Sequence, residues 1–407
     1  MVFWYFSTNL SSCNLLIHLV NKLFFKSSFL KGATIWSLLF FTNSLFAQTK
    51  AVTDSTSFAF LPAIAYNSDY GFILGGIINR FHYRTDNSPF YSFMNISGII
   101  STGGLASGSV SYDKPNFSNT KFRFVGEVYA ARFFEDPYFG IGSYQKIPNS
   151  TSIKGPLYNF KSISTGFDIT LRYPLKTYHS GKQLDLLAIL GFTYETPWDN
   201  DSNRLIAQQQ PLGYTGGHSV AIGSGIIWEG RNSEFRPTKG QYAKSSLEIG
   251  QTWFGSDYNT TILRADARNY ISFFLIREIT LANRIYLKHT AGEVPYWDLA
   301  YAGDEETLRG YPARRFLDDN AIILNTELRT WLFRISALDA NFGGTLFFDL
   351  GRTFPNGESL QSISEDLKYS FGFGGTSSFF TPDFVLRTDF GFSEEGMGVY
   401  FTAGYMF

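Results

Sequence analysis

Ala302-Gly-Asp-Glu-Glu-Thr-Leu-Arg-Gly-Tyr-Pro312 is a polar, glycine-bearing loop set between long segments in which apolar and polar side chains alternate. Upstream, from Thr261 to Asn269, Leu263, Ala265 and Ala267 share one face while Arg264, Asp266 and Arg268 share the other. The next segment repeats the pattern, with Leu281, Ile285 and Leu287 opposite Arg284 and Lys288. Downstream, Ile322, Leu324 and Leu328 oppose Asn325, Glu327 and Arg329. A period of two places successive side chains on opposite faces of a strand. Charges facing one way and aliphatics the other is what a closed sheet in lipid requires, because no backbone group can be left unpaired there.

The pattern extends along the chain as about sixteen segments, near 58–66, 70–83, 90–101, 105–114, 121–134, 157–173, 183–195, 218–229, 240–253, 258–273, 279–291, 320–333, 341–353, 367–379, 384–393 and 397–407. The fold class expected is all-β: a transmembrane antiparallel barrel with the 302–312 loop folded inward. An even number of strands brings both chain ends to one side. Long joins at about 135–156, 196–217 and 292–319 read as outer-face loops, and short joins mostly as periplasmic turns. Residues 113–119 suit either. Several segments exceed ten residues, whereas strands of soluble sheets average about five or six.

Composition agrees. Of 407 residues, 44% are hydrophobic, 18% aromatic and only 17% charged; a soluble protein carries about a quarter charged residues. The net charge of −1 provides no field for nucleic acid. Outside the N-terminal region no apolar run approaches the roughly 18 residues of a helical span. Lys22, Lys26 and Lys31 precede the apolar run Ala33 to Phe46, which ends in Leu45-Phe46-Ala47-Gln48. That order reads as an export signal over 1–47, cleaved after Ala47. Residues 48–57 then form a short periplasmic lead-in and 58–407 the barrel. Cys13 is the only cysteine, so the mature chain has no thiol chemistry. The sequence Leu10-Ser-Ser-Cys13 superficially matches a lipoprotein cleavage box, but no basic residue precedes it.

Four local patterns occur in order: Glu229-Gly-Arg231-Asn-Ser-Glu-Phe-Arg-Pro237-Thr-Lys-Gly240, Leu308-Arg309-Gly310-Tyr311, Asn325-Thr-Glu327-Leu-Arg329 and Phe347-Phe-Asp349-Leu-Gly351. Together they resemble the BamA/TamA superfamily of outer-membrane assembly and secretion barrels, with Glu229 where that family commonly has Asp. From the residues alone, Glu327 and Asp349 point into one interior. A guanidinium suits two carboxylates at once, so Arg309 can pair with both. Alternatively it is a solvated loop residue, and the acids pair with Arg329 or Lys288. The resemblance implies the first: a lock in which Arg309, flanked by Gly310 and Tyr311, engages Glu327 and Asp349. Arg264, Asp266, Arg268, Arg284, Lys288 and Arg329 are expected to line the lumen. Phe401, Tyr405 and Phe407, at period two in the last segment, resemble the signal by which barrels are recognised for insertion; they also read simply as lipid-facing aromatics.

Enzymatic chemistry finds little footing. His82, His179, His218 and His289 lie on separate segments, and no nucleophile elbow, metal-spaced His/Cys set or phosphate loop occurs. Asp304-Glu-Glu306 is an acidic run of the kind usually solvated. We therefore expect no catalytic residue, no metal and no cofactor. The expected location is the bacterial outer membrane, in contact with its lipids. The barrel assembly machinery would insert this chain, most simply as a monomer. The resemblance implies a barrel that assists translocation or insertion of protein or lipid. The family's periplasmic POTRA modules find no room in residues 48–57, so a separate periplasmic POTRA-type protein or client is the expected partner. Pro62 in the first segment cannot donate to a ladder, which would thin a seam there. A passive anion-favouring pore and a structural or surface-exposed barrel are the alternatives.

Overall fold

The computed structural model describes residues 54–84, 90–142, 155–178, 182–198, 201–338, 340–379 and 385–407. The export signal and most of the lead-in lie outside them. The first half of the sheet comprises β1 (Ser55–Asn67), β2 (Gly71–Tyr83), β3 (Ser92–Ser101), β4 (Leu105–Lys114), β5 (Arg123–Pro137), β6 (Asn159–Thr177), β7 (Gln183–Pro197) and β8 (Gly217–Glu229). The chain continues through β9 (Gly240–Gly250), β10 (Thr260–Phe274) and β11 (Glu278–Gly292), then two short strands, β12 (Ala300–Ala302) and β13 (Phe316–Asp318). It ends with β14 (Asn320–Ile335), β15 (Ala340–Phe354), β16 (Lys368–Phe379), β17 (Val385–Ser393) and β18 (Gly396–Ala403).

Sixteen of these strands form one sheet in which each pairs antiparallel with its neighbours in sequence, β11 passing directly to β14. The omitted pair, β12 and β13, is a hairpin of its own inside the 293–319 join. The barrel expected from the alternation is thus the fold, with the expected strand number. Register explains the alternation residue by residue. Arg264 lies opposite Lys288, Asp266 opposite Tyr286 and Arg268 opposite Arg284, so the polar set falls on one face of two strands. On the other face Leu263, Ile285, Leu287 and Leu328 are each about 40% exposed or more, and Leu346, Phe371 and Phe373 at least half exposed. An outward wall this apolar is the lipid-facing band of a membrane barrel.

Antiparallel alternation puts the joins 138–158, 198–216 and 293–319 at one end, together with a fourth at 355–367. The join after β4, residues 115–122, lies at the opposite end with the N-terminus of β1. At the long-join end, Tyr138, Phe160, Ile206, Val294, Tyr296, Leu299 and Leu317 pack into a buried apolar cluster. Three separate joins therefore share one core over the barrel mouth.

The two ends of the sheet meet unequally. β1 and β18 lie side by side, yet among the described residues no ladder joins them. Just past β1, Ser68 N–H donates to Val399 O at 2.9 Å, and Val399 N–H donates to the Ser68 hydroxyl at 2.7 Å. The chain end departs from the expected last strand. The last strand does not run to the terminus with Tyr405 and Phe407 facing lipid; it stops at Ala403. Gly404 takes φ +86°, a conformation costly for any side-chain-bearing residue. The chain beyond it turns inward, so that Phe407 is buried against Tyr270 and Ala282. Phe401 remains in the strand, opposite Thr388.

Candidate functional site: a guanidinium at the tip of the inward loop

The loop between β11 and β14 carries Arg309 into the barrel, where its side chain is fully buried. Nε donates to Asp349 Oδ2 at 2.8 Å and Nη2 to Asp349 Oδ1 at 2.9 Å, the bidentate fork that a planar guanidinium favours. Nη1 donates to Glu327 Oε1 at 2.6 Å and to Asp389 Oδ2 at 3.0 Å. The Phe347 ring lies 3.4 Å from the guanidinium carbon. Three strands thus supply a carboxylate each: Glu327 from β14, Asp349 from β15 and Asp389 from β17. The alternatives left open by the sequence are not exclusive, because Glu327 also accepts from Arg329 Nε at 2.7 Å. Lys288 takes no part; its Nζ donates to Leu299 O at 3.1 Å.

Charge closes within this cluster. Arg309, Arg329 and Arg387 face Glu327, Asp349 and Asp389, the Arg387–Asp389 pair being 2.9 Å apart. Desolvating one such ion without compensation costs several kcal/mol, so equal numbers of the two signs are what allow burial here.

The wall has been cleared to admit the loop. Gly310 has φ +97°, and a Cβ added there would lie 2.9 Å from the Gly391 carbonyl carbon. A Cβ at Gly391 would in turn come within 2.8 Å of the Arg309 carbonyl carbon. Gly372, opposite Phe347 on the next strand, leaves the space that the Phe347 ring occupies beneath the guanidinium. Polar contacts fasten the tip. Gly310 N–H donates to Tyr400 Oη at 2.9 Å, Ser393 Oγ donates to Gly310 O at 2.8 Å, and Tyr311 Oη donates to Tyr369 O at 3.3 Å. Asp389, Gly391 and Tyr400 were absent from the expected site. They belong to the last two strands, where no motif marks them, although the acid at 389 and glycine at 391 share one face at period two.

The remaining lumenal arginines expected from the sequence are paired. Arg264 pairs with Glu248. Asp266 receives Arg268 at 2.7 Å and Arg284 at 3.3 Å. Arg329 Nη2 donates to the Phe407 carbonyl at 3.0 Å, with the Tyr405 ring 4.1 Å from its guanidinium carbon. The inward-turned terminus is therefore tied to the same network. Among the described histidines, His82 contacts Asp54, His218 contacts Asp257 and His289 contacts Asn320, each on its own part of the barrel. No group of three metal-ligating side chains occurs among the described residues.

Just before the tip, Asp304 and Glu305 are partly buried rather than freely solvated. Burial, with Glu305 and Glu306 beside it, raises the Asp304 carboxyl well above its ordinary range. Burial also raises Glu305, opposed by the Asn67 side-chain amide, which donates to it at 3.2 Å. A carboxyl whose folded pKa lies above its unfolded value of about 4 stabilises the fold fully below that value. Its contribution is lost as pH rises toward the folded value.

Two consequences are measurable. Arg309→Ala leaves three buried carboxylates short of a cation, and should lower unfolding stability by about 3–5 kcal/mol in urea titrations followed by tryptophan fluorescence; a change under about 1 kcal/mol would mean that the pairing is solvated. Asp304→Asn keeps the Oδ1 acceptor used by Thr307 Oγ1 and Glu306 N–H while removing the charge. It should raise the thermal midpoint at pH 8 and leave it nearly unchanged at pH 4, and a lower midpoint at pH 8 would contradict the sign.

The Omp85 superfamily domain matches residues 93–407. Among solved structures, BamA of Haemophilus ducreyi lacking POTRA domains 1–3 superposes with a TM-score of 0.55 at 16% identity, over 86% of this chain and 70% of that one. CdiB of Acinetobacter baumannii gives 0.53 at 13% identity over 86% and 65%, and CdiB of Escherichia coli gives 0.55 at 12% over 88% and 63%. At these identities the likeness is one of fold, and the chain spans about two thirds of the length of each. No curated protein matches it. The match over most of the barrel, with the sheet topology, shows that the chain belongs to the Omp85 superfamily of outer-membrane β-barrel proteins.

Proposed function

We propose that this barrel resides in the outer membrane and assists passage or insertion of a polypeptide client, with displacement of the 293–319 loop coupled to opening between β1 and β18. The observation that carries the reading is that the loop bridges the thin seam. On the β1 side, Ala313 N–H donates to Asp69 Oδ1 at 3.1 Å and Glu305 accepts from Asn67. On the other side, Arg309 holds Asp389, Arg315 pairs with Glu395 at 2.7 Å, and Gly310 is bonded to Tyr400 and Ser393. Withdrawing the loop would remove the polar contacts that span two strands lacking a ladder. An exposed strand edge is in turn a template for an incoming extended segment.

The lumenal charge pattern supports the same reading over a passive anion pore. Of the five cations that would favour anions, Arg264, Arg268, Arg284 and Arg329 each already face a carboxylate, and Lys288 is bonded to the Leu299 carbonyl instead. A periplasmic protein that delivers the client is the natural associate of such a barrel, and the barrel assembly machinery the agent of its own insertion.

Planar-bilayer recordings test the proposal. Wild type should be nearly closed, and Arg309→Ala should open or flicker. Steady anion-selective conductance that is identical in both proteins would favour the pore.

A further inference from the structure

We propose a binding site for one anionic, phosphate-bearing lipid on the outer wall of β2–β5, with an acyl chain in a glycine-floored trench and the headgroup on Arg132. The site is separate from the loop and seam, and depends on the functional reading only in that this wall faces a bilayer.

The trench follows from register. Gly76 pairs with Gly98, Gly98 with Gly108, and Gly108 with Ala130, so four adjoining strands carry small residues in one row. Three inter-strand steps make the row about 14 Å long. One position nearer the long-join end lies Leu74–Ile100–Ala106–Arg132–Ile163; on the other side lies Ile78–Ile96–Val110–Val128. Leu74, Ile100 and Val128 are 56%, 59% and 61% exposed, so both banks project outward. An open, mostly apolar hollow of about 620 Å³ lies over this floor and against the Leu74–Ile163 bank, with Arg132 in its lining.

Nothing local requires glycine on this floor. A Cβ at Gly98 would meet no atom nearer than 4.0 Å, and one at Gly108 none nearer than 3.4 Å. Neither residue has a positive φ. Gly391 is forced by close approach, but at Gly98 and Gly108 side chains would fit and are missing. The hollow is a shape of the outer surface rather than a by-product of packing.

Arg132 stands at its rim, exposed and on the outward face. Its guanidinium carbon lies 4.6 Å from both the Phe134 and Trp198 rings, and Lys161 Nζ is 5.0 Å from the Trp198 ring. Among the described residues no carboxylate pairs with Arg132. A cation on the lipid face of a barrel is destabilising by an amount that grows with depth, and flanking aromatics mark the headgroup level. A lipid phosphate satisfies this guanidinium where a carboxylate does not, and the apolar trench beside it suits the same molecule's chain. A second copy of the protein is the poorer occupant, because a two-fold contact would bring Arg132 toward its own symmetry mate.

The test is native mass spectrometry of the refolded protein in detergent. It is offered dipalmitoyl phosphatidylglycerol or, with identical chains, dipalmitoyl phosphatidylcholine. Wild type should retain one phosphatidylglycerol and little phosphatidylcholine. Arg132→Gln should lower retention about tenfold. Gly98→Leu, which fills the trench, should lower it at least as much while keeping the heat-modifiable electrophoretic shift of the folded barrel. Equal retention of both lipids, undiminished retention in either variant, or a dimer that Gly98→Leu dissolves would overturn the proposal. Insertion into vesicles, scored separately by protease protection, keeps the two readings distinct. Insertion without selective retention refutes the lipid site alone, whereas a chain that never inserts refutes the membrane reading.

Discussion

The guanidinium of Arg309 is the interaction on which the rest of the barrel depends. It is fully buried and shared by carboxylates from β14, β15 and β17. Glu327 and Asp389 each lean on a second arginine, Arg329 and Arg387. A buried ion pair is weak evidence for net stability, since desolvation offsets much of the attraction. What such a cluster fixes is position. With three acids on a curved wall, the loop brings one guanidinium within hydrogen-bond reach of all three, and removing it leaves them facing each other. The cluster therefore fixes where the loop sits more than it adds to stability.

That cluster is placed where the sheet is thinnest. β1 and β18 share the Ser68–Val399 contact and no ladder. The terminus that might have extended the last strand instead turns in at Gly404 and gives its final carbonyl to Arg329. The same arginine that braces Glu327 thus holds the chain end away from the seam. Loop tip, terminus and seam are joined by a short run of side-chain contacts.

Much of this is legible in the sequence. Period-two alternation is strict because lipid lies on one side of each strand and a polar lumen on the other, so Arg264, Asp266 and Arg268 declared their face. The spacing of Glu327 and Asp349 on successive strands pointed to a shared interior. Three things were hidden. Asp389 lies on a strand with no motif, and its role depends on the loop passing over Gly391, which is a tertiary fact. Tyr405 and Phe407 continue the alternation faithfully, and only the lone Gly404 betrays the turn. The acidic run Asp304-Glu-Glu306 reads as solvated, since nothing in it discloses that the loop carries it against Asn67. Strand faces are written locally, whereas partners across the lumen are set by closure of the whole sheet.

The central claim is that residues 308–311 are structural members of the barrel interior rather than a surface loop. Native-state hydrogen exchange, corrected for intrinsic rates, addresses it most directly. The amides of Arg309 and Gly310, bonded to Asp349 and Tyr400, should exchange as slowly as those in the middle of β14 and β15. Exchange at the rate of an exposed loop would contradict it.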